Sequence, residues 1–324
     1  MRLCGGVFEG GGVRGIGHVG AACAMEAAGY QFVDLAGSSA GALVAALLAA
    51  GYQCRELKRE MMALNYAQFK GMDWMDHFGT VGKALSLLFT LGIYHTGYLE
   101  QWMKQMLEPK GIRTFGDISE TGRRLFLTVS DLTRRRLLVL PGDAPELGME
   151  PEEFPVALAV RMSSSIPVFF EPVRMRDGQG ETHILVDGGL LSNYPVWVLD
   201  DGVTRKPYPT FGFQFRGGSP SGRAGCTGRP GLAEYLKSIM STCIDVIDNN
   251  YAAAGDDART IWISPVIGEG KAAKTIGSTD FGITQAESQA LFDNGRQAAE
   301  TFLKTWDFAD WERRYRSEIN FGKR

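Results

Sequence analysis

Hydrophobic and polar positions follow two alternating patterns along most of the chain. Short apolar runs that end in glycine or a polar residue predict buried strands, and longer segments with helical spacing predict helices. The predicted strands are 3–9, 31–36, 125–130, 137–140, 183–186, 210–215 and 260–264. The predicted helices are 15–29, 40–50, 54–64, 99–107, 152–162, 232–249 and 285–304. This alternation predicts a layered α/β fold with a mostly parallel sheet.

One polar segment interrupts the alternation. Residues 216–230 (RGGSPSGRAGCTGRP) are rich in Gly, Ser and Pro and carry basic side chains, which is typical of a mobile surface loop. Because strands are predicted on both sides of this loop, we place no domain boundary there. We expect residues 1–324 to form a single domain.

Composition narrows the class of protein. A hydrophobic fraction of 44% with 22% charged residues is ordinary for a soluble globular chain, and a net charge of −3 gives no basic surface for nucleic acid. No signal peptide is evident, and the longest apolar runs, 40–52 and 84–94, are shorter than a membrane span. We therefore expect a cytoplasmic protein, with transient contact at a membrane surface compatible with this composition.

The cysteines predict neither a disulfide framework nor a zinc site. They are widely spaced, odd in number and contain no C-x-x-C pair, so we expect reduced, buried thiols. The five are Cys4, Cys23, Cys54, Cys226 and Cys243.

Glycine is over-represented, with 41 residues in 324, or about 13% against an average near 7%. The first glycine cluster, residues 10–15 (GGGVRG), lies between a predicted strand and a predicted helix and matches G-x-G-x-x-G. Asp34 follows at about the spacing of the acid that binds a ribose in dinucleotide sites. A nucleotide-binding oxidoreductase is therefore one interpretation of this cluster.

The second cluster, residues 37–41 (GSSAG), matches the G-x-S-x-G nucleophile elbow. Gly37 and Gly41 would allow a sharp turn that presents Ser39 at the start of a helix. The first cluster then has a second interpretation, as a loop whose backbone N–H groups stabilise an oxyanion beside Ser39. The candidate residues of this oxyanion hole are Gly10, Gly11, Gly12, Arg14, Gly15 and Ala40.

A serine nucleophile requires a base, and the histidines offer poor candidates. The four are His18, His77, His95 and His183, and the last of them lies inside a predicted strand. Asp187 is the better candidate because it ends that strand and is followed by Gly188 and Gly189, which places a carboxylate on a tight turn at the edge of the sheet. The alternative is an aspartate that only caps this turn. No metal-binding spacing is present.

The three motifs, in this order, resemble the patatin-like phospholipase family. The family pattern is a G-G-G-x-R/K-G loop, a G-x-S-x-G elbow and a D-G-G/A turn. Residues 159–170 (AVRMSSSIPVFF) and 193–195 (NYP) are also similar to it, so the resemblance covers roughly residues 1–200. It implies an α/β/α sandwich in three layers and a Ser39–Asp187 dyad without histidine. It also implies cleavage of lipid or phospholipid acyl esters, generally without a metal, and no cofactor is expected.

Two further interpretations remain open at the level of sequence. Residues 84–94 (ALSLLFTLGIY) are either a segment that faces lipid or a core helix. The chain is either an active hydrolase or a catalytically silent effector on the same fold that a ligand regulates. The sequence predicts neither the lipid class nor the oligomeric state.

Overall fold

The computed structural model describes residues 1–64, 92–94, 97–200, 206–216, 235 and 254–315. Its longer helices are α1 (Gly15–Ala27), α2 (Ala40–Ala49), α3 (Cys54–Ala63), α4 (Gly97–Leu107), α5 (Phe115–Glu120), α6 (Val156–Ser163), α7 (Ala254–Ala258), α8 (Gln285–Leu303) and α9 (Phe308–Tyr315). Its strands are β1 (Arg2–Phe8), β2 (Tyr30–Gly37), β3 (Gly92–Tyr94), β4 (Arg124–Asp131), β5 (Arg136–Leu140), β6 (Val168–Phe170), β7 (Val173–Arg176), β8 (Thr182–Asp187), β9 (Thr210–Phe215), β10 (Thr260–Ile263), β11 (Val266–Ile267) and β12 (Lys274–Thr275).

The central sheet runs in the order β10-β9-β1-β2-β4-β8-β7, and β5 also pairs with β4. The strands from β10 to β4 are parallel, whereas β5, β8 and β7 join antiparallel. The α/β class with a mostly parallel central sheet is therefore confirmed. The carboxyl ends of the parallel strands meet at one edge, where α/β proteins place their sites.

Side chains on successive strand positions point to opposite faces of this sheet. On β4, Leu125 and Leu127 belong to the large core that includes α1, α2 and α8, whereas Phe126 packs against a smaller cluster. That smaller cluster consists of Val7, Ala36, Tyr194, Val196 and Leu199. The sheet is thus covered on both faces, by helices on one side and by the segment around 194–199 on the other.

The predicted strands and most predicted helices agree with the structure to within a few residues. The predicted helix 152–162 instead begins as a 3-10 turn, Pro151–Glu153, and becomes α-helical only at Val156, because Pro155 separates the two. The predicted helix 232–249 and the loop 216–230 lie outside the described residues, except for Arg216 and Tyr235. So does the segment 84–94, except for β3, which pairs with β6.

The expectation that every cysteine is reduced is wrong. Cys23 near the end of α1 forms a disulfide with Cys54 at the start of α3. The pair is 31 residues apart in sequence and meets only because α3 folds back against α1. Cys4 is a buried free thiol, in line with the expectation for that residue.

We expect loss of this disulfide to lower the free energy of unfolding by about 2–4 kcal/mol, since the bond restricts a loop of roughly 30 residues in the unfolded chain. Urea unfolding of the wild type with and without dithiothreitol measures the effect. The matched control is Cys54→Ser, which should unfold at the lower midpoint and no longer respond to the reductant. Equal midpoints for the oxidised and reduced wild type would contradict the prediction.

Candidate active site

Ser39 occupies a sharp turn between β2 and α2. Its backbone adopts φ +53° and ψ −125°, a conformation that costs a non-glycine residue about 1–3 kcal/mol. The flanking glycines are required sterically, because a Cβ on Gly37 would overlap the carbonyl of Gly41, and a Cβ on Gly41 would overlap that of Phe8. The predicted elbow is therefore present, with the serine at the N-terminus of α2.

Asp187 ends a strand that runs antiparallel to β2, the strand that leads to Ser39. β8 is antiparallel and pairs with the last three residues of β4, so its final residue lies beside Val129 near the carboxyl edge. The Ser39 Oγ donates to Asp187 Oδ2 at 2.6 Å, and the Gly189 N–H donates to Oδ1 at 2.7 Å. Both carboxylate oxygens are thus engaged, and both side chains are buried.

Burial raises the pKa of Asp187 from its ordinary value near 3.8 to about 7, against the opposing effect of the hydrogen bonds from Ser39 and Gly189. A carboxyl group with this pKa exchanges its proton near neutral pH, which suits a general base. A carboxylate that only capped a turn at the surface would not have its pKa raised by burial.

A run of three serines at the end of α6 holds both residues in place. Ser163 Oγ accepts a hydrogen bond from the Ser39 N–H at 3.0 Å, and Ser164 Oγ donates to the Ser39 carbonyl at 3.2 Å. The Ser165 carbonyl accepts from the Asp187 N–H at 2.9 Å. The sequence showed these serines only as part of a family-like segment, and their role as a shared support becomes visible only in three dimensions.

The first glycine cluster lies directly beside the elbow. Gly12 has φ +55°, and its neighbour Val13 donates to the Ser278 carbonyl at 3.1 Å. The Arg14 side chain donates to the Gly11 carbonyl at 3.2 Å, and its guanidinium lies 4.8 Å from the centre of the Phe215 ring. Arg14 therefore stabilises the conformation of the glycine loop through contacts with the loop backbone and with Phe215.

The predicted oxyanion-hole residues divide into donors and supports. Among the residues that the structure describes, the amides of Gly11, Gly12 and Ala40 have no backbone acceptor and are the candidate donors. The Gly10 N–H donates to the Asn193 carbonyl at 3.0 Å, so Gly10 contributes to the loop as a support. Gly15 likewise supports the site, packing against Ala40 at the start of α2.

An apolar cleft of about 530 Å³, including its open mouth, leads to Ser39. Gly12, Ala40 and Ser164 line it together with Ser39. Its apolar lining comes from separate segments of the chain and comprises Leu43, Met61, Leu64, Leu99, Ile166, Phe170 and Phe281. Sequence reasoning missed these residues because no motif connects them. Such a lining can accommodate an aliphatic chain.

The histidines offer no base to Ser39 within the described chain. His183 lies in β8, where Nδ1 contacts Asp131 at 2.7 Å, and it precedes Asp187 by four strand positions, or about 13 Å. Burial lowers the pKa of His18 to about 3, so it is neutral and bonded to the Glu9 carbonyl. His77 and His95 lie outside the described residues.

Asp34 is not placed to bind a ribose. Its buried carboxylate accepts hydrogen bonds from Arg124 at 2.8 and 2.7 Å and from Tyr208 at 2.8 Å, and it pairs with Lys206 at 2.9 Å. Burial alone would raise the pKa of Asp34, but these partners hold it at about 2, well below the ordinary value. The glycine loop instead lies against the serine elbow, which removes the structural basis for the oxidoreductase interpretation.

Acidic groups and a histidine also meet on the β7–β8 hairpin. The ligand atoms of Asp177, Glu181 and His183 lie within 4.8 Å of one another. Arg134 donates to Asp177 at 3.1 Å and to Glu181 at 2.8 Å, so a guanidinium already compensates both carboxylates. This cluster is therefore explained as an ion-pair network.

The comparisons with known proteins identify the family and agree with the fold. The model of the family described as patatin-like phospholipase matches residues 6–200, and the chain belongs to that family. Membership supports a lipid hydrolase that acts on a lipid substrate.

Individual relatives match the chain beyond the residues that the family model covers. The chain is 35% identical over 318 residues to the uncharacterized protein YqhO of Bacillus subtilis (strain 168), covering 94% of this chain and 99% of that protein. It is 26% identical over 196 residues to the intracellular phospholipase A2 of Caenorhabditis elegans, which is 58% of this chain but only 16% of that protein. The crystal structure of VipD from Legionella pneumophila shares the fold, with a TM-score of 0.54, 16% identity and coverage of 94% of this chain and 67% of that one.

Among the described residues, no helix has both the length and the hydropathy needed to span a bilayer.

Proposed function

We propose that this protein is a serine lipid acyl hydrolase of the phospholipase A or lysophospholipase type, with Ser39 as nucleophile and Asp187 as base. The observation that carries the proposal is the 2.6 Å hydrogen bond from Ser39 Oγ to a buried carboxylate whose pKa is raised to about 7. The apolar cleft that opens on Ser39 supports an aliphatic acyl chain as the group bound.

The first step of the proposed reaction is acylation. Asp187 takes the Ser39 hydroxyl proton while Oγ forms a bond to the ester carbonyl carbon. The amides of Gly11, Gly12 and Ala40 stabilise the oxyanion, and each such donor is typically worth on the order of 10²–10³ in rate. The ester C–O bond then breaks, and the leaving alcohol takes the proton from Asp187.

The second step is hydrolysis of the acyl-enzyme. Asp187 takes a proton from water as the water oxygen attacks the acyl carbon. The bond from Ser39 Oγ to that carbon breaks, and Asp187 passes the proton taken from water to Ser39 Oγ. A free fatty acid then leaves. The residues invoked in both steps belong to this chain, and the proposal uses no metal or cofactor. Access to a lipid ester would bring the protein to a membrane or micelle surface.

The test combines active-site labelling with product analysis. We expect a fluorophosphonate probe to label Ser39 stoichiometrically, and mass spectrometry to detect fatty acid released from phosphatidylcholine or lysophosphatidylcholine micelles. Labelling without release would count against a silent effector, because it shows an activated Ser39 whose ester substrate is not among the lipids tested. A folded protein that neither labels nor releases fatty acid would favour the silent-effector alternative. Absence of labelling together with saturable nicotinamide fluorescence would contradict the proposal and return the glycine loop to nucleotide binding.

A further inference from the structure

Glu9 is a buried carboxylate between β1 and the glycine loop, with 7% of its surface exposed. Its Oε2 accepts the Phe215 N–H at the end of β9 at 2.6 Å, and its Oε1 accepts from Asn193 Nδ2 at 3.1 Å. Its backbone N–H donates to the Phe213 carbonyl at 3.0 Å. Glu9 therefore fixes the start of the loop to the neighbouring strand and to Asn193.

Asn193 holds the same loop from the Asp187 side. Its carbonyl accepts the Gly10 N–H at 3.0 Å, and its Nδ2 lies 3.4 Å from the Gly10 carbonyl. The chain between Asp187 and Asn193 is closed by bonds from the amides of Leu191 and Ser192 to the Gly188 carbonyl. A displacement of Asn193 would therefore be transmitted to both the loop and the aspartate turn.

We propose that Glu9 and Asn193 are positioning residues that set the distance between the oxyanion donors and the Ser39–Asp187 pair. This inference rests on the proposed function, because it assigns a role within that reaction. The contacts of Glu9 and Asn193 with the glycine loop lie close to the nucleophile, since a Cβ on Gly10 would lie 3.1 Å from the Ser39 Cβ. Oxyanion donors must lie within about 2.7–3.1 Å of the developing charge, and a 1 Å misplacement can cost about 10²-fold.

The contact between Glu9 and Asn193 pairs a carboxylate with a side-chain amide. The Phe215 N–H and Asn193 Nδ2 both donate to Glu9, and a carboxylate offers a separate acceptor oxygen to each of these two donors. Glu9→Gln would place its own NH₂ against either Phe215 or Asn193. Asn193→Asp would place two carboxylates side by side. In the double variant, the introduced glutamine could accept from the Phe215 N–H and donate to the introduced aspartate. This restores both hydrogen bonds at position 9 and the number of charges, but not the Asn193 Nδ2 donor that faces the Gly10 carbonyl.

The experiment measures kcat and KM of the purified full chain on p-nitrophenyl butyrate, with active sites counted by fluorophosphonate titration. We expect Glu9→Gln and Asn193→Asp each to lower kcat per titrated site by about 10- to 100-fold, with KM changed less than about threefold. The double variant should recover at least about tenfold over the weaker single variant. The control is Glu287→Gln, which removes a carboxylate that bonds to Thr284 and Lys274 at the start of α8 and should lower stability while leaving kcat unchanged.

Two results would overturn the positioning role in an active wild type. One is a folded Glu9→Gln variant that keeps kcat within about threefold of the wild type. The other is a double variant no more active than the single ones, which would assign the loss to general destabilisation. Failure of the proposed function is a separate result, because the wild type itself would then neither label at Ser39 nor hydrolyse the ester, and the positioning role would fall with it.

Discussion

Replacement of Ser39 by alanine is expected to reduce ester hydrolysis by about 10⁴-fold or more while the protein remains folded. The reason is that Ser39 supplies the atom that bonds to the acyl carbon in the proposed mechanism, and no described side chain replaces it next to Asp187. The variant also loses the hydroxyl that donates to Asp187 Oδ2. Initial rates of fatty acid release, normalised to protein shown to be folded by circular dichroism, measure the effect.

The neighbouring serine provides a matched control. Ser38 is buried, and its Oγ has no hydrogen-bond partner within the described part of the chain, so Ser38→Ala should retain activity and lose no stability. Ser39→Gly tests the backbone separately. Glycine adopts φ +53° without strain, so this variant should be inactive yet more stable than Ser39→Ala by roughly 1 kcal/mol or more. Hydrolysis by either Ser39 variant at about a tenth of the wild-type rate would remove Ser39 from the mechanism.

The elements around the site were predictable because local signals coincide with them. A run of apolar residues ending in GSSAG predicts a strand, a tight turn and a helix, and the structure has β2, Ser39 and α2 in that order. Asp187 was favoured because it ends a predicted strand that holds His183 in its interior, and the Asp187 carboxylate lies against Ser39 in the structure. The oxyanion role proposed for the glycine loop rests only on the requirement that both clusters serve one site.

The remaining features depend on contacts that sequence patterns do not encode. Asp187 was expected at the carboxyl edge of the sheet, and it arrives there on an antiparallel strand, which no periodicity in β8 indicates. The excess of glycine is also only partly explained by the site. Gly20 and Gly295 allow α1 and α8 to pack backbone against backbone, where a Cβ on either residue would overlap the facing helix. The Cys23–Cys54 disulfide depends on the same kind of tertiary contact.

The second large effect concerns Asp187 and its dependence on pH. In the wild type, kcat/KM should rise with pH and reach half its plateau near pH 7, because only the ionised carboxylate accepts the Ser39 proton and its pKa is raised to about 7. Asp187→Asn should lose about 10²–10⁴-fold in kcat/KM and show no rising limb at this pH. The fold should be kept, since an asparagine Oδ1 still accepts the Gly189 N–H and its Nδ2 faces Ser39 Oγ.

The free energy of unfolding should fall with pH over a range in which kcat/KM rises. A pKa raised in the folded state means that the folded protein keeps a proton that the unfolded chain has released. The stabilisation from this proton is complete below about pH 4 and is lost as pH rises to about 7. The free energy of unfolding of the wild type should therefore fall relative to Asp187→Asn across that window, by at most about 1.4 kcal/mol per pH unit, and the difference should stay constant above it.

Two ionisable groups, Asp187 and His183, are candidates for the origin of the rising limb of the pH–rate profile. Urea unfolding and pH–rate profiles on the same preparations distinguish them. His183 is a second buried ionisable group on β8. Burial lowers its pKa, but hydrogen bonds to Asp131 and Asp177 outweigh burial and raise it above the ordinary value. His183→Gln should nevertheless keep the rising limb near pH 7, because His183 lies about 13 Å along β8 from Asp187. A limb that disappears in His183→Gln and persists in Asp187→Asn would reverse the assignment of the base. A limb centred near pH 4 would show that the Asp187 carboxylate is solvated when the enzyme acts, and that its burial beside Ser39 is not what makes it a base.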